Sequence, residues 1–223
     1  MAGTLHTVVF LAILFGSASL MYVSAGRMRA AEQPNRVLFY ITTIAWEWLL
    51  MGYVLVGVRL HQTPLWEVMG ARWTKARDVF RDIAIALAFW IVALIVLALV
   101  ARLLHFQGMK QNVRFLAPDG AMEIALWIAV SVTAGICEET IFRGYLQKQF
   151  IAWTGSVPAG ILLSAAAFGV GHIYQGAKAS VVIGVYGLMF GVLAWRRGSM
   201  RPGMITHALH DTASGLAVRL LPK

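Results

Sequence analysis

The feature that most constrains this chain is the recurrence, from one end to the other, of apolar runs of about 20 residues, the length an α-helix needs to cross the hydrocarbon of a bilayer. They fall at about 5 to 24, 37 to 58, 83 to 104, 121 to 142, 157 to 173, 180 to 195 and 203 to 220. In lipid the backbone polar groups have to be satisfied within the segment, so helices are expected and strands are not. The expected fold is therefore all-α, a polytopic integral membrane bundle of about seven spans (six to eight), read as a single domain over residues 1–223.

Composition supports this reading. The chain is 59% hydrophobic with 13% charged residues, whereas soluble domains carry about 25% charged. The net charge of +9 would raise the question of nucleic acid in a soluble protein. Here the basic residues cluster between apolar runs, as Arg27, Arg29, Arg36, then Arg72, Lys75, Arg77, Arg81, then Arg196, Arg197, Arg201. Headgroup contact and topology explain them, and no groove-reading motif accompanies them, so no nucleic-acid partner is expected. Alternating spans put comparable basic sets on the two sides, with Arg102, Lys110 and Arg114 joining the first cluster, so no sidedness follows. The run from Thr7 to Val23 lacks a basic n-region and is followed at once by Arg27 and Arg29, which reads as a retained first span and not a secretory signal.

Pro34, Pro64, Pro118, Pro158 and Pro202 mark helix starts and turns. The stretch from Pro64 to Asp82 mixes Trp66, Trp73 and Phe80 with Arg72, Lys75, Arg77 and Arg81, and reads equally as a helix lying in the interface plane or as a connecting loop. From Ser156 onward small residues dominate, with Gly184, Gly187 and Gly191 among them. Such spacing lets membrane helices approach closely, and a tight bundle is expected there. A lone Cys137 allows no internal disulfide and reads as a small buried hydrophobe.

Against this apolar background stand Glu138-Glu139-Thr-Ile-Phe-Arg143, then Phe168-Gly-Val-Gly-His172, then His207-Ala-Leu-His210-Asp211. Ionisable groups at bilayer depth are costly and by default functional. Glu139 and Arg143 stand four apart with the acid first, the favourable order for an ion pair on one helix face. Glu138 is turned about 100° from Glu139, so one carboxylate is expected to be neutralised by Arg143 and the other to face a polar cavity as a general base. His207 and Asp211 share a face, with His210 bordering it. Imidazole and carboxylate at this spacing suit either a hydrogen-bonded site or metal ligation.

Taken together these elements resemble the CPBP (CAAX protease and bacteriocin-processing, or Abi) family, which includes the type II CAAX prenyl endopeptidases. The resemblance covers about residues 122–216, the catalytic core that it implies. It implies an intramembrane endopeptidase that cleaves near the membrane surface, with Glu138 and His172 activating water, His207 and Asp211 stabilising the oxyanion, and Glu139 and Arg143 in support. Peptides, including CAAX-type prenylated ones, are the implied substrates, and the bilayer is the other partner; no oligomeric state follows. The family's alternative at this last position is asparagine, whose amide donates, whereas an ionised Asp211 only accepts. Asp211 is therefore expected to orient His207 as a charged donor, with protonation of Asp211 itself as the other option. No cofactor is expected. Zinc held by Glu138, His172 and His207 is the competing reading, although no His-Glu-x-x-His is present. A noncatalytic immunity or scaffold protein that binds partner helices through its glycine face is the alternative function, and a proton or ion pathway a third. The location implied is an integral membrane one, the plasma membrane if the source is prokaryotic.

Overall fold

The computed structural model describes residues 2–70, 72–106 and 113–219, and Lys110 and Leu220 lie outside them. The described residues form helices throughout, with no strand among them. In order they are α1 (Thr4–Ala30), α2 (Arg36–Leu60), α3 (Leu65–Met69), α4 (Ala76–Leu103), a 3₁₀ turn (Arg114–Leu116), α5 (Ala121–Glu138), a π-helical stretch (Glu139–Leu146), α6 (Gln147–Thr154), α7 (Val157–Gly171), a second 3₁₀ turn (Ile173–Gln175), α8 (Ala177–Arg197) and α9 (Arg201–Arg219).

Among the described residues, α1, α2, α4, α8 and the continuous helix Ala121–Thr154 are long and apolar enough to cross a membrane. With their exposed apolar side chains, such as Ile91, Val92, Ile95 and Leu99 of α4, they make the protein a polytopic helical membrane protein. The other two apolar runs are helices as well. α7 is apolar but has 15 residues, short for a full span at 1.5 Å per residue. α9 has 19 residues and carries His207, His210 and Asp211. Pro34, Pro64, Pro118, Pro158 and Pro202 sit at helix starts: α2, α3, α5, α7 and α9 each begin within three residues of one. The Ser156 hydroxyl caps α7 by accepting from the Ala159 amide at 3.4 Å, and Gly155 ends α6 at φ +66°, a conformation that glycine adopts without strain.

The Pro64 to Asp82 stretch divides. α3 is a single short helix, Arg72 to Lys75 belong to no helix, and residues from Ala76 onward are the first turns of α4. Asp82 gathers this edge: it accepts from the Trp73 indole at 2.9 Å and lies 3.5 Å from Arg197 Nη2.

α5 is flanked by α2 and α9, α7 packs on α6 and α8, and α4 closes the bundle against α8 and α9. The small residues set these distances. A Cβ on Gly169 would lie 2.8 Å from the Ser180 carbonyl of α8, and one on Gly191 would lie 2.8 Å from both Gln147 Oε1 and Ile161 Cγ2. The glycine stripe of α8 thus faces inward, against α7 and the helix bearing Arg143. α1 is tied to the same core by polar bonds. Tyr145 Oη lies 2.8 Å from Thr7 Oγ1 and 3.0 Å from His6 Nδ1, and Gln149 Nε2 donates to Thr7 Oγ1 at 2.7 Å. Such a buried network, once satisfied, fixes one register of α1 against α6.

Candidate active site

All three polar motifs converge at one level of the bundle. The helix that carries Glu138 and Glu139 changes there from α to π winding, a feature found often at functional sites. Ser164 of α7 donates to the Phe142 carbonyl at 2.7 Å, satisfying a backbone acceptor within this stretch.

Glu139 and Arg143 pair as the spacing predicts. Arg143 Nη1 donates to Glu139 Oε1 at 2.7 Å, with both side chains almost fully buried. Arg143 Nη2 donates to the Gly187 carbonyl at 3.2 Å, and its guanidinium lies over Phe168 at 4.3 Å and Phe190 at 4.9 Å. A buried charge needs this many partners. A Cβ at position 187 would lie 3.0 Å from Phe168 Cδ1 and 3.3 Å from Arg143 Nη2, so glycine there is what lets the guanidinium reach α8.

His207, on α9, is brought to the same carboxylate. Its Nδ1 lies 3.1 Å from Glu139 Oε1. A carboxylate only accepts, so Nδ1 carries a proton. Its Nε2 then faces Glu138 Oε2 at 3.6 Å and Asp211 Oδ2 at 3.5 Å, while the ring stacks on Phe190 at 5.5 Å. The carboxylate bonded to the ring is thus Glu139. Asp211, expected to orient His207, sits farther off and is 34% exposed against 5% for His207. Its backbone carbonyl accepts from the Trp127 indole at 3.0 Å.

His172 closes α7. Its Nδ1 donates to the Phe168 carbonyl at 2.9 Å, leaving Nε2 as an acceptor 3.9 Å from Glu138 Oε2. Phe168 stands between the two imidazoles, its ring 4.7 Å from that of His172 and 6.0 Å from that of His207. Glu138 Oε2 is therefore the common neighbour of both histidines, and it has no hydrogen-bond partner within the protein. The structure brings together Glu138, Glu139, Arg143, His172, His207 and Asp211. It does not bring in His210, whose Nδ1 accepts from the Trp90 indole at 3.2 Å and whose ring packs on Tyr186.

Glu138 and His172 line a cavity of about 120 Å³ together with Leu14, Ala18 and Met21 of α1, Trp46, Glu47 and Leu50 of α2, and Tyr174. Glu47 is the residue that sequence reasoning missed. It belongs to no motif, and the signal that marks it is that it is a single carboxylate inside an otherwise apolar span. Cys137 is fully buried in the apolar cluster beside Ile141 and Phe168. Among the described residues no group of three or more His, Cys, Asp or Glu side chains is placed to hold a metal ion.

The comparisons agree with the geometry. Residues 119–213 match the family model described as Type II CAAX prenyl endopeptidase Rce1-like. No curated protein and no solved structure matches the chain. Over Asp119 to Ala213, the stretch that holds all three motifs, the sequence of this membrane protein is thus similar to that of the Rce1-like type II CAAX prenyl endopeptidases.

Proposed function

We propose that the chain is an intramembrane endopeptidase in which Glu138, assisted by His172, activates a water for attack on a peptide carbonyl near the membrane surface. The observation that carries this is the position of Glu138 Oε2, 3.9 Å from His172 Nε2 and 3.6 Å from His207 Nε2, at the wall of a cavity. A water at about 2.8 Å from both Glu138 and His172 satisfies hydrogen-bond geometry with the two acceptors. Glu138 takes one of its protons as the oxygen bonds to the carbonyl carbon. The oxyanion that forms accepts from the Nε2–H of His207 as an imidazolium, whose Nδ1–H Glu139 holds in orientation. When the C–N bond breaks, Glu138 returns the proton to the leaving nitrogen.

The substrate class is a peptide presented from the bilayer, with CAAX-type prenylated peptides the class that the family match favours. In a prokaryotic cell the enzyme would sit in the plasma membrane. The scaffold alternative loses its surface, because Gly187 and Gly191 are occupied by Phe168, Arg143, Gln147 and Ile161 of the same chain.

The test is cleavage of lipidated and unlipidated peptides by the full chain in proteoliposomes, read by mass spectrometry, beside Glu138→Gln. Wild type cleaves and the variant falls by a factor of at least about 10². Equal cleavage by both proteins removes Glu138 from the mechanism. A rate unchanged after exhaustive chelation, with no stoichiometric zinc in the protein, separates this mechanism from the zinc reading.

A further inference from the structure

Glu47 lies on α2 and lines the same cavity as Glu138. The residue is half-buried, but its Oε2 is closed off from solvent and has no donor, and the same is true of Glu138 Oε2. Both carboxylates thus present a buried, unsatisfied oxygen at one cavity of about 120 Å³. Two ionised carboxylates only accept, so they cannot bond to each other. Facing one small cavity with largely apolar walls they also repel, and pairs of this kind resolve the conflict by holding one proton between them.

The surroundings give the proton a preferred owner. α1 faces the cavity with Leu14, Ser17, Ala18 and Met21, none of them titratable. α5 supplies Cys137 and Glu138; α7 ends in His172; Tyr174 follows it; and α9 brings His207 and Asp211 within electrostatic range. The imidazoles lie on the Glu138 side. His207 Nε2 and His172 Nε2 are 3.6 Å and 3.9 Å from Glu138 Oε2, whereas no charged side chain forms an ion pair with Glu47 among the described residues.

We propose that Glu47 is a positioning residue of the peptidase: in its protonated form it donates a hydrogen bond to Glu138, so that Glu138 enters each cycle as an ionised base held toward His172. This rests on the function proposed above, in which Glu138 accepts the water proton. Glu47 touches neither the attacking water nor the scissile bond in this scheme. It removes the second negative charge from the cavity and supplies the donor that a buried carboxylate base requires. A glutamine keeps that donor and a leucine does not, which separates the electrostatic role from simple filling of space.

The experiment has two readouts on the full chain in proteoliposomes, wild type beside Glu47→Gln, Glu47→Leu and Glu138→Gln. Infrared difference spectra report protonated carboxyl groups whether or not any peptide is cleaved. At neutral pH a protonated-carboxyl C=O band is expected in wild type and is lost in Glu47→Gln. The pH dependence of kcat/KM is the second readout. Loss of the donor in Glu47→Leu moves the acid limb upward by about 1 to 2 pH units, the equivalent of one hydrogen bond to a charged group, and Glu47→Gln restores it to within about half a unit. The absence of such a band from wild type, or its persistence in Glu47→Gln, overturns the proposal, and so does an acid limb common to wild type and both position-47 variants. If wild type cleaves no peptide, the peptidase reading fails on that arm alone and the infrared band still decides whether the pair shares a proton.

Discussion

Glu139 and His207, 68 residues apart in the chain, meet at 3.1 Å through Oε1 and Nδ1, and the same oxygen accepts from Arg143 at 2.7 Å. One carboxylate oxygen thereby joins the helix Ala121–Thr154 to α9 and fixes an imidazole whose other nitrogen faces Glu138. The arginine balances the Glu139 carboxylate at this depth, and that carboxylate is what holds the His207 ring. The second glutamate of the motif is in this sense part of the scaffold of the site.

Breaking that ion pair from one side leaves a buried charge without its partner. Glu139→Ala and Arg143→Met are each expected to cost about 3–5 kcal/mol of stability. The double variant removes both charges and is expected to cost less than the sum of the two by at least about 1 kcal/mol. Denaturant unfolding of the four proteins in one detergent measures the coupling; strict additivity would show that the pair does not act as a unit.

Close packing makes a second prediction at Gly203. A Cβ there would lie 2.9 Å from Glu139 Oε2, 3.4 Å from the same carboxyl carbon and 3.4 Å from Phe190. Gly203→Ala therefore pushes α9 away from Glu139, with a cost of about 1–3 kcal/mol and a weakened His207 bond. Gly16→Ala, where nothing lies within 4 Å of the added carbon, stays within about 1 kcal/mol of wild type. Thermal unfolding and peptide turnover of the two variants are compared directly; similar losses in both would deny a special role to the 203 contact.

How far the sequence speaks for itself differs from element to element. The apolar runs and the prolines from Pro34 to Pro202 mark the helices, because bilayer thickness and the missing proline N–H act locally. The pairing of Glu139 with Arg143 follows from helix spacing alone. The contact of Glu139 with His207 does not, since it depends on how α9 packs against α5, and residue spacing suggested Asp211 for that position instead. Glu47 was hidden for the same reason. α2 marks it only as a lone carboxylate in an apolar run, and the packing of α2 on α5 is what brings it to the cavity that Glu138 lines. The glycines of α8 show close approach in the sequence without naming the partner, which proves to be α7 and the Arg143 side chain.

The last prediction concerns the residue where this chain has aspartate. Asp211 is partly exposed, forms no hydrogen bond to His207 and stands 3.5 Å from its Nε2, while the ring is already held from the other side by Glu139. Converting the carboxylate to an amide keeps its shape and adds a donor. Asp211→Asn is therefore expected to keep turnover within about tenfold of wild type, whereas His207→Ala, which removes the group proposed to face the oxyanion, loses a factor of about 10² to 10³. Initial rates in proteoliposomes with a cleaved peptide measure both. A loss in Asp211→Asn as large as that in His207→Ala would mean that a negative charge at 211 is required beside His207, and that orientation by Glu139 alone does not suffice.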